Sequence, residues 1–285
     1  MDRFNAANKA GVLGIVGNIF LLIIKSIIGF MTHSQSMVAD AANSAGDIFA
    51  SLMTFIGNKI ASKPYDDDHN LGHGKAEYIF SLFISISMII VSIQLLYNSC
   101  SGLIFGHTFE FSWMLVLVCF VTIFVKLFLY FYTNSLAKKY NNILLDANKK
   151  DHRNDCIATS FTLMSSLLSL LNIFWFDSLV GIGISIWICY TGIQIFIESY
   201  NVLMDKSLDS LSKKKVLDII NNHPEIKKQE HFSSTPVGYK YLISITIFVD
   251  GNLSTFDSHR IADNLEKELN SLSFVYLVII HVNPI

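Results

Sequence analysis

The sequence predicts a membrane-embedded bundle of six helices (residues 1–205) followed by a small α+β domain with the order αββαβ (residues 206–285). Three observations predict it. Charged residues make up only 15% of the 285 residues and hydrophobic ones 52%, against roughly a quarter charged in a soluble domain. Apolar stretches of membrane-crossing length, about 20 residues, recur at 11–31, 36–60, 76–104, 111–133, 152–174 and 178–200. From about residue 206 that pattern gives way to short helical and alternating segments.

The first apolar stretch is long and lacks a clear small-residue cleavage site, so it reads as a span and not as a cleavable signal peptide. The second is interrupted by Asp40, Asn43 and Asp47, and the fifth carries Asp151 and Asp155 near its predicted start. Lys and Arg cluster at the N-terminus and in the 2–3 and 4–5 connections, for example Arg3, Lys63, Lys75, Lys138 and Lys149. The connections near 32–36, 105–111 and 174–178 contain neither. The positive-inside rule then places both termini in the cytoplasm. No targeting segment is evident, and the predicted location of this multi-pass protein is the plasma membrane. The net charge of −2 gives no reason to propose a nucleic-acid partner. Cys100, Cys119, Cys156 and Cys189 are scattered in or beside apolar stretches and read as small packing residues.

In the C-terminal part, "SKKKVLDIINNHPEI" has Val216, Ile219 and Ile220 at helical spacing and stops before Pro224. A weaker strand is predicted near 226–234. "YKYLISITIFVD" alternates and is rich in β-branched and aromatic residues, as a strand requires. "STFDSHRIADNLEKELNS" opens with a cap pattern and continues as an amphipathic helix, and "FVYLVIIHVNP" is a final strand. The order αββαβ is ferredoxin-like.

The chemistry lies in the polar residues of the apolar stretches. Asn43 and Asp47 stand four apart and share a helix face, as do Asp151 and Asp155. Asp47 sits mid-segment with no basic residue within a turn, where a carboxylate costs about 3 kcal/mol even on lenient scales. Two helices, each with such a pair, can converge on one divalent cation, so the carboxylates are expected to face a metal ion and not lipid.

The stretches "ADAANSAGD", "DDDHNLGHGKAE", "DHRND" and "VLMDKSL", followed by a domain ending "VIIHVNP", resemble the cation diffusion facilitator family over essentially the whole chain. That resemblance implies a homodimeric six-helix exporter in the lipid bilayer, exchanging a divalent cation for protons. It assigns the transport site to Asn43, Asp47, Asp151 and Asp155. No permanently bound cofactor is implied. The quartet is all oxygen, which suits hard cations, and it resembles the manganese-exporting branch. Mn²⁺ is the predicted substrate, with Zn²⁺, Fe²⁺ and Cd²⁺ as weaker ones. His152 lies one residue from Asp151, about 100° round the helix, and is not expected to replace it. Three carboxylates sharing a site repel when ionised and are neutralised by a dication or by protons, the minimum for antiport.

The resemblance also implies a loop metal site at Asp66, His69 and His73, and a charge pair between Lys75 and Asp205. In the C-terminal domain His231, His259 and His281 remain as metal-site candidates, but Thr246 and Asn283 stand where ligands are expected. Lys25 and Lys126 read as lysines snorkelling to an interface. Three rival readings are a zinc or iron exporter, an intramembrane aspartyl protease, and a metal sensor that does not transport. "SAGD" is superficially like a GxGD protease signature but lacks its first glycine, and the protein is not expected to be an enzyme.

Overall fold

A computed structural model describes residues 3–32, 35–105, 112–169 and 175–285, with the side chains of 29, 32, 35–43, 105, 165, 166, 169, 175–177 and 180 outside that description. Asp40 and the candidate ligand Asn43 therefore have a described backbone only, and the turns within 32–36, 105–111 and 174–178 lie largely outside the described residues. The chain divides into two compact units, Met1–Ser62 with Ala76–Tyr200, and Lys63–Lys75 with Asn201–Ile285. The 2–3 connection, assigned from sequence to the helical domain, groups with the second unit.

The first unit is built from α1 (Arg3–Thr32), α2 (Gln35–Ala61), α3 (Ala76–Phe105), α4 (Trp113–Tyr140), α5 (Ile143–Ser169) and α6 (Trp175–Leu203). Four of them contain stretches long and apolar enough to cross a membrane: Arg3–Ile28, Ala76–Ile104, Trp113–Tyr140 and Gly181–Leu203. Helices α2 and α5 carry the interrupting carboxylates and amides and fall outside that group. Helix α5 starts earlier than the predicted span, at Ile143, because Asn142 caps it: its Oδ1 accepts from Leu144 N at 2.9 Å and Leu145 N at 3.1 Å. Asp151 and Asp155 therefore stand mid-helix, beyond the first turn where a helix dipole alone would favour them.

The corner between α4 and α5 is only two residues long. Asn141 is left-handed (φ 45°) and its N–H closes α4 on Ala137 O, while Asn142 opens α5. Asparagine tolerates this backbone, so no glycine is needed. Close helix contact elsewhere rests on small residues: a Cβ at Gly14 would stand 2.6 Å from Ser51 Oγ, which brings α1 onto α2. At the other end of α1, Arg3 binds Glu77 of α3 through both guanidinium nitrogens, with Nη2 at 2.7 Å from Oε2, and Nε donates to Tyr140 O at 3.2 Å. One buried fork thus ties α1, α3 and the end of α4, a role that sequence reading, which saw in Arg3 only an orienting charge, missed.

In the second unit α7 (Ser210–Asn221) precedes β1 (Lys228–Val237), β2 (Lys240–Val249), α8 (Thr255–Asn270) and β3 (Val275–Pro284). The sheet order is β1-β2-β3, with β1 antiparallel and β3 parallel to β2. The parallel pair needs a crossover, and α8 supplies it. Asp209 caps α7 and Ser254 caps α8. The apolar faces of β2 and α8 meet in a core where Ile243, Ile245, Ile247 and Leu265 have no exposed surface. Gly238 turns the β1–β2 hairpin at φ +64°, and its Cα lies against Gly74 of the 63–75 loop, where a Cβ on Gly74 would come within 3.0 Å.

Candidate metal centre

Asp47 of α2 and Asp151 and Asp155 of α5 line one small cavity of about 50 Å³, together with Gly46, Ser87 and Asn154. That is room for an ion and about one water. The i, i+4 spacing on α5 does what the sequence indicated: it turns both carboxylates to the same side. Asp47 is 7% exposed. The Oδ2 of Asp151 is buried and has no hydrogen-bond partner among the described residues. An unpartnered carboxylate oxygen in such a place calls for a cation or a proton.

Two residues that sequence reading set aside stand beside these carboxylates without lining the cavity itself. Lys126, from the middle of α4, does not snorkel. It is 1% exposed, and its Nζ lies 2.7 Å from Asp47 Oδ2 and 2.5 Å from Asp155 Oδ2. Its depth was the available signal: it stands seven residues inside the predicted span 111–133, or about 10 Å, beyond the reach of a lysine side chain. Lys126 and Asp155 also stand at nearly equal distances from the Asn141–Asn142 corner, so an antiparallel pair of helices sets them side by side. Lys25 is likewise buried, at 2% exposure.

His152 is the second of these neighbours. One ligand atom from each of Asp151, His152 and Asp155 lie within 4.8 Å of one another, and neither ring nitrogen of His152 has a hydrogen-bond partner among the described residues. The 100° offset from Asp151 is real, but donors on one turn need not share a face to reach an ion beside the helix. The side chain of Asn43 lies outside the described ones, so the quartet is seen here as its three carboxylates.

In the second unit Asp66, His69 and His73 form another group of possible ligands. Asp66 Oδ1 accepts from His69 N at 2.7 Å and faces His69 Nδ1 at 3.0 Å, while Oδ2 lies 3.4 Å from His73 Nε2. Desolvation, acting upward on the Asp66 pKa, is outweighed by the hydrogen bonds from His69, which hold this carboxyl below its usual range. Lys75 Nζ meets Asp205 Oδ1 at 2.7 Å, both partly exposed, with Asp205 in a left-handed turn (φ 57°) after α6. His231, His259 and His281 are exposed on β1, α8 and β3 and form no three-ligand cluster among the described residues. His281 instead pairs in register with Thr246, and His259 faces Asp263 at 3.6 Å.

Comparison with known proteins identifies relatives over the whole chain. A family model for the cation efflux transmembrane domain matches residues 11–204, and one for the cation efflux protein cytoplasmic domain matches residues 208–285. An uncharacterized transporter of Methanocaldococcus jannaschii is 29% identical over 96% of this chain and 97% of its own length. Two manganese efflux system proteins of Bacillus subtilis, MneP and MneS, are 25% and 26% identical; the alignments cover 99% and 100% of this chain, and 98% and 99% of theirs. The first family match runs through every helix that lines the charged cavity and the two together span nearly the whole sequence, so the chain belongs to the cation efflux, or cation diffusion facilitator, family of transporters.

Proposed function

We propose that this protein exports a divalent cation, Mn²⁺ before others, in exchange for protons, through a site made of Asn43, Asp47, Asp151 and Asp155. The observation that carries the reading is the convergence of three carboxylates from α2 and α5 on one small cavity in the helical unit. Hard oxygen donors favour Mn²⁺ over softer competitors, and the manganese efflux relatives point the same way. In this reading all six helices span the plasma membrane, α2 and α5 hiding their polar faces inside the bundle, with both termini in the cytoplasm. The functional boundary falls near residue 205, and the protein works as a homodimer through its C-terminal domain. The loop group Asp66, His69 and His73 is a secondary metal site, and Lys75–Asp205 is a structural charge pair.

Exchange follows from charge. A dication neutralises the carboxylates on the way out, and protons do so on the return, so the two compete for the same oxygens. One observation favours a second substrate: His152 offers an imidazole nitrogen beside Asp151 and Asp155, a donor that zinc and iron use well. Flux from proteoliposomes, Mn²⁺ against Zn²⁺, with and without an imposed pH gradient, tests the whole. Faster Mn²⁺ transport that responds to the gradient is expected. Zinc preferred outright, or flux indifferent to pH, would overturn the metal or the antiport respectively.

A further inference from the structure

We infer that Lys126 is a tethered cation that takes the place of the metal in the unloaded carrier. The inference rests on the transport site proposed above and extends it. A lysine at 1% exposure in the middle of an apolar helix is costly unless its charge is matched, and here Nζ bridges Asp47 and Asp155, one from each ligand-bearing helix. The same two carboxylates are proposed to grip the transported ion. An ammonium at 2.7 and 2.5 Å from Asp47 Oδ2 and Asp155 Oδ2 holds carboxylate charge that a dication in the adjoining cavity would have to claim, so metal and lysine compete for the same two groups.

In this cycle the partner of the lysine changes. With metal bound, Nζ withdraws along its flexible four-carbon stem. When the metal leaves, it swings back and cross-links α2 to α5 through α4. The emptied site then never presents bare carboxylates to the bundle, and part of the positive charge needed for the return is supplied by the protein. This places Lys126 as a residue that sets both metal affinity and the return of the unloaded carrier, without being a metal ligand.

The test separates binding, net transport and exchange. In Lys126→Met and Lys126→Gln, the competitor is gone, so Mn²⁺ binding to detergent-purified protein should tighten about tenfold, within the usual range of coupling between competing ligands. Net Mn²⁺ efflux, which requires the empty carrier to return, should fall at least as much. Mn²⁺/Mn²⁺ exchange, which does not require the empty carrier to return across the membrane, should persist. Binding that is unchanged or weaker, or exchange lost in proportion to net efflux, overturns the inference. A wild-type measurement stands independent of whether the variants fold: cryo-electron microscopy with and without Mn²⁺ should show Nζ leaving Asp47 when metal enters, and its staying on both carboxylates overturns the inference equally. Asp47→Asn separates this from the parent reading. If it leaves Mn²⁺ binding intact, the site itself is wrong; if it abolishes binding while Lys126→Met tightens nothing, only the role of Lys126 falls.

Discussion

The two units of this chain bury opposite things. The C-terminal unit closes over Ile243, Ile245, Ile247 and Leu265, while its lysines and carboxylates lie largely outside. The helical unit turns apolar residues such as Phe30, Ile104 and Phe124 outward and holds Lys126, Asp47, His152 and Asn148 inside. Water drives the first arrangement and is the medium it is made for. The second makes sense only where lipid replaces water, because outward apolar faces then cost nothing and charges survive only by meeting one another. Buried apolar residues hold the C-terminal unit together, and buried charges that meet one another mark the interior of the helical one.

That contrast can be broken from either side. Asp47→Asn should abolish Mn²⁺ transport in proteoliposomes while leaving the protein folded by gel filtration, since it removes a proposed ligand and a partner of Lys126 but no core volume. Ile245→Ala should do the reverse. Deleting a fully buried isoleucine costs about 2–5 kcal/mol, read as early proteolysis of the C-terminal domain, with Mn²⁺ binding in the helical unit retained. If Asp47→Asn instead unfolded the protein without touching transport per folded molecule, the division of labour would be wrong.

Smaller effects sharpen it. His152→Ala should weaken Zn²⁺ binding about tenfold, or 1.4 kcal/mol, and Mn²⁺ binding less, in a competition measured on one sample; equal losses would remove the imidazole from the donor set. The smallest concerns Asp146, which lies outside the predicted span and bonds Lys149 at 2.5 Å and Lys150 at 2.8 Å. Partial burial raises the pKa of this carboxyl, but the two ammonium groups outweigh that and hold it below its usual range. A lowered folded value means that its stabilisation is present above the unfolded value near 4 and lost as pH falls through the folded one. Asp146→Asn should therefore cost about half a kcal/mol at neutral pH and nothing in strong acid, as followed by thermal denaturation in detergent.

How much of this was readable follows the same physics. Elements that bury a periodic apolar face announced themselves: β2 by alternation and α8 by its stripe and its Ser254 cap. Asp47 announced itself as well, because a mid-segment carboxylate has no bland explanation. Lys126 and His152 did not. Each has a cheaper local reading, a snorkelling stem or a face turned away, and for Lys126 only the packing of α4 against α5 removes it. Arg3 is the extreme case, since its partner Glu77 lies 74 residues away and no local pattern joins them.

The corner at Asn141 and Asn142 carries a consequence for how this protein can vary. Surface loops usually absorb insertions without harm, but this one acts as a gear tooth between two rods. One added residue there would roll α5 by about 100° and slide it by about 1.5 Å, presenting a neighbour of Asp155 to the lysine. Length at this position is therefore as constrained as identity is at the carboxylates, and functional relatives should differ here by substitution and not by gaps.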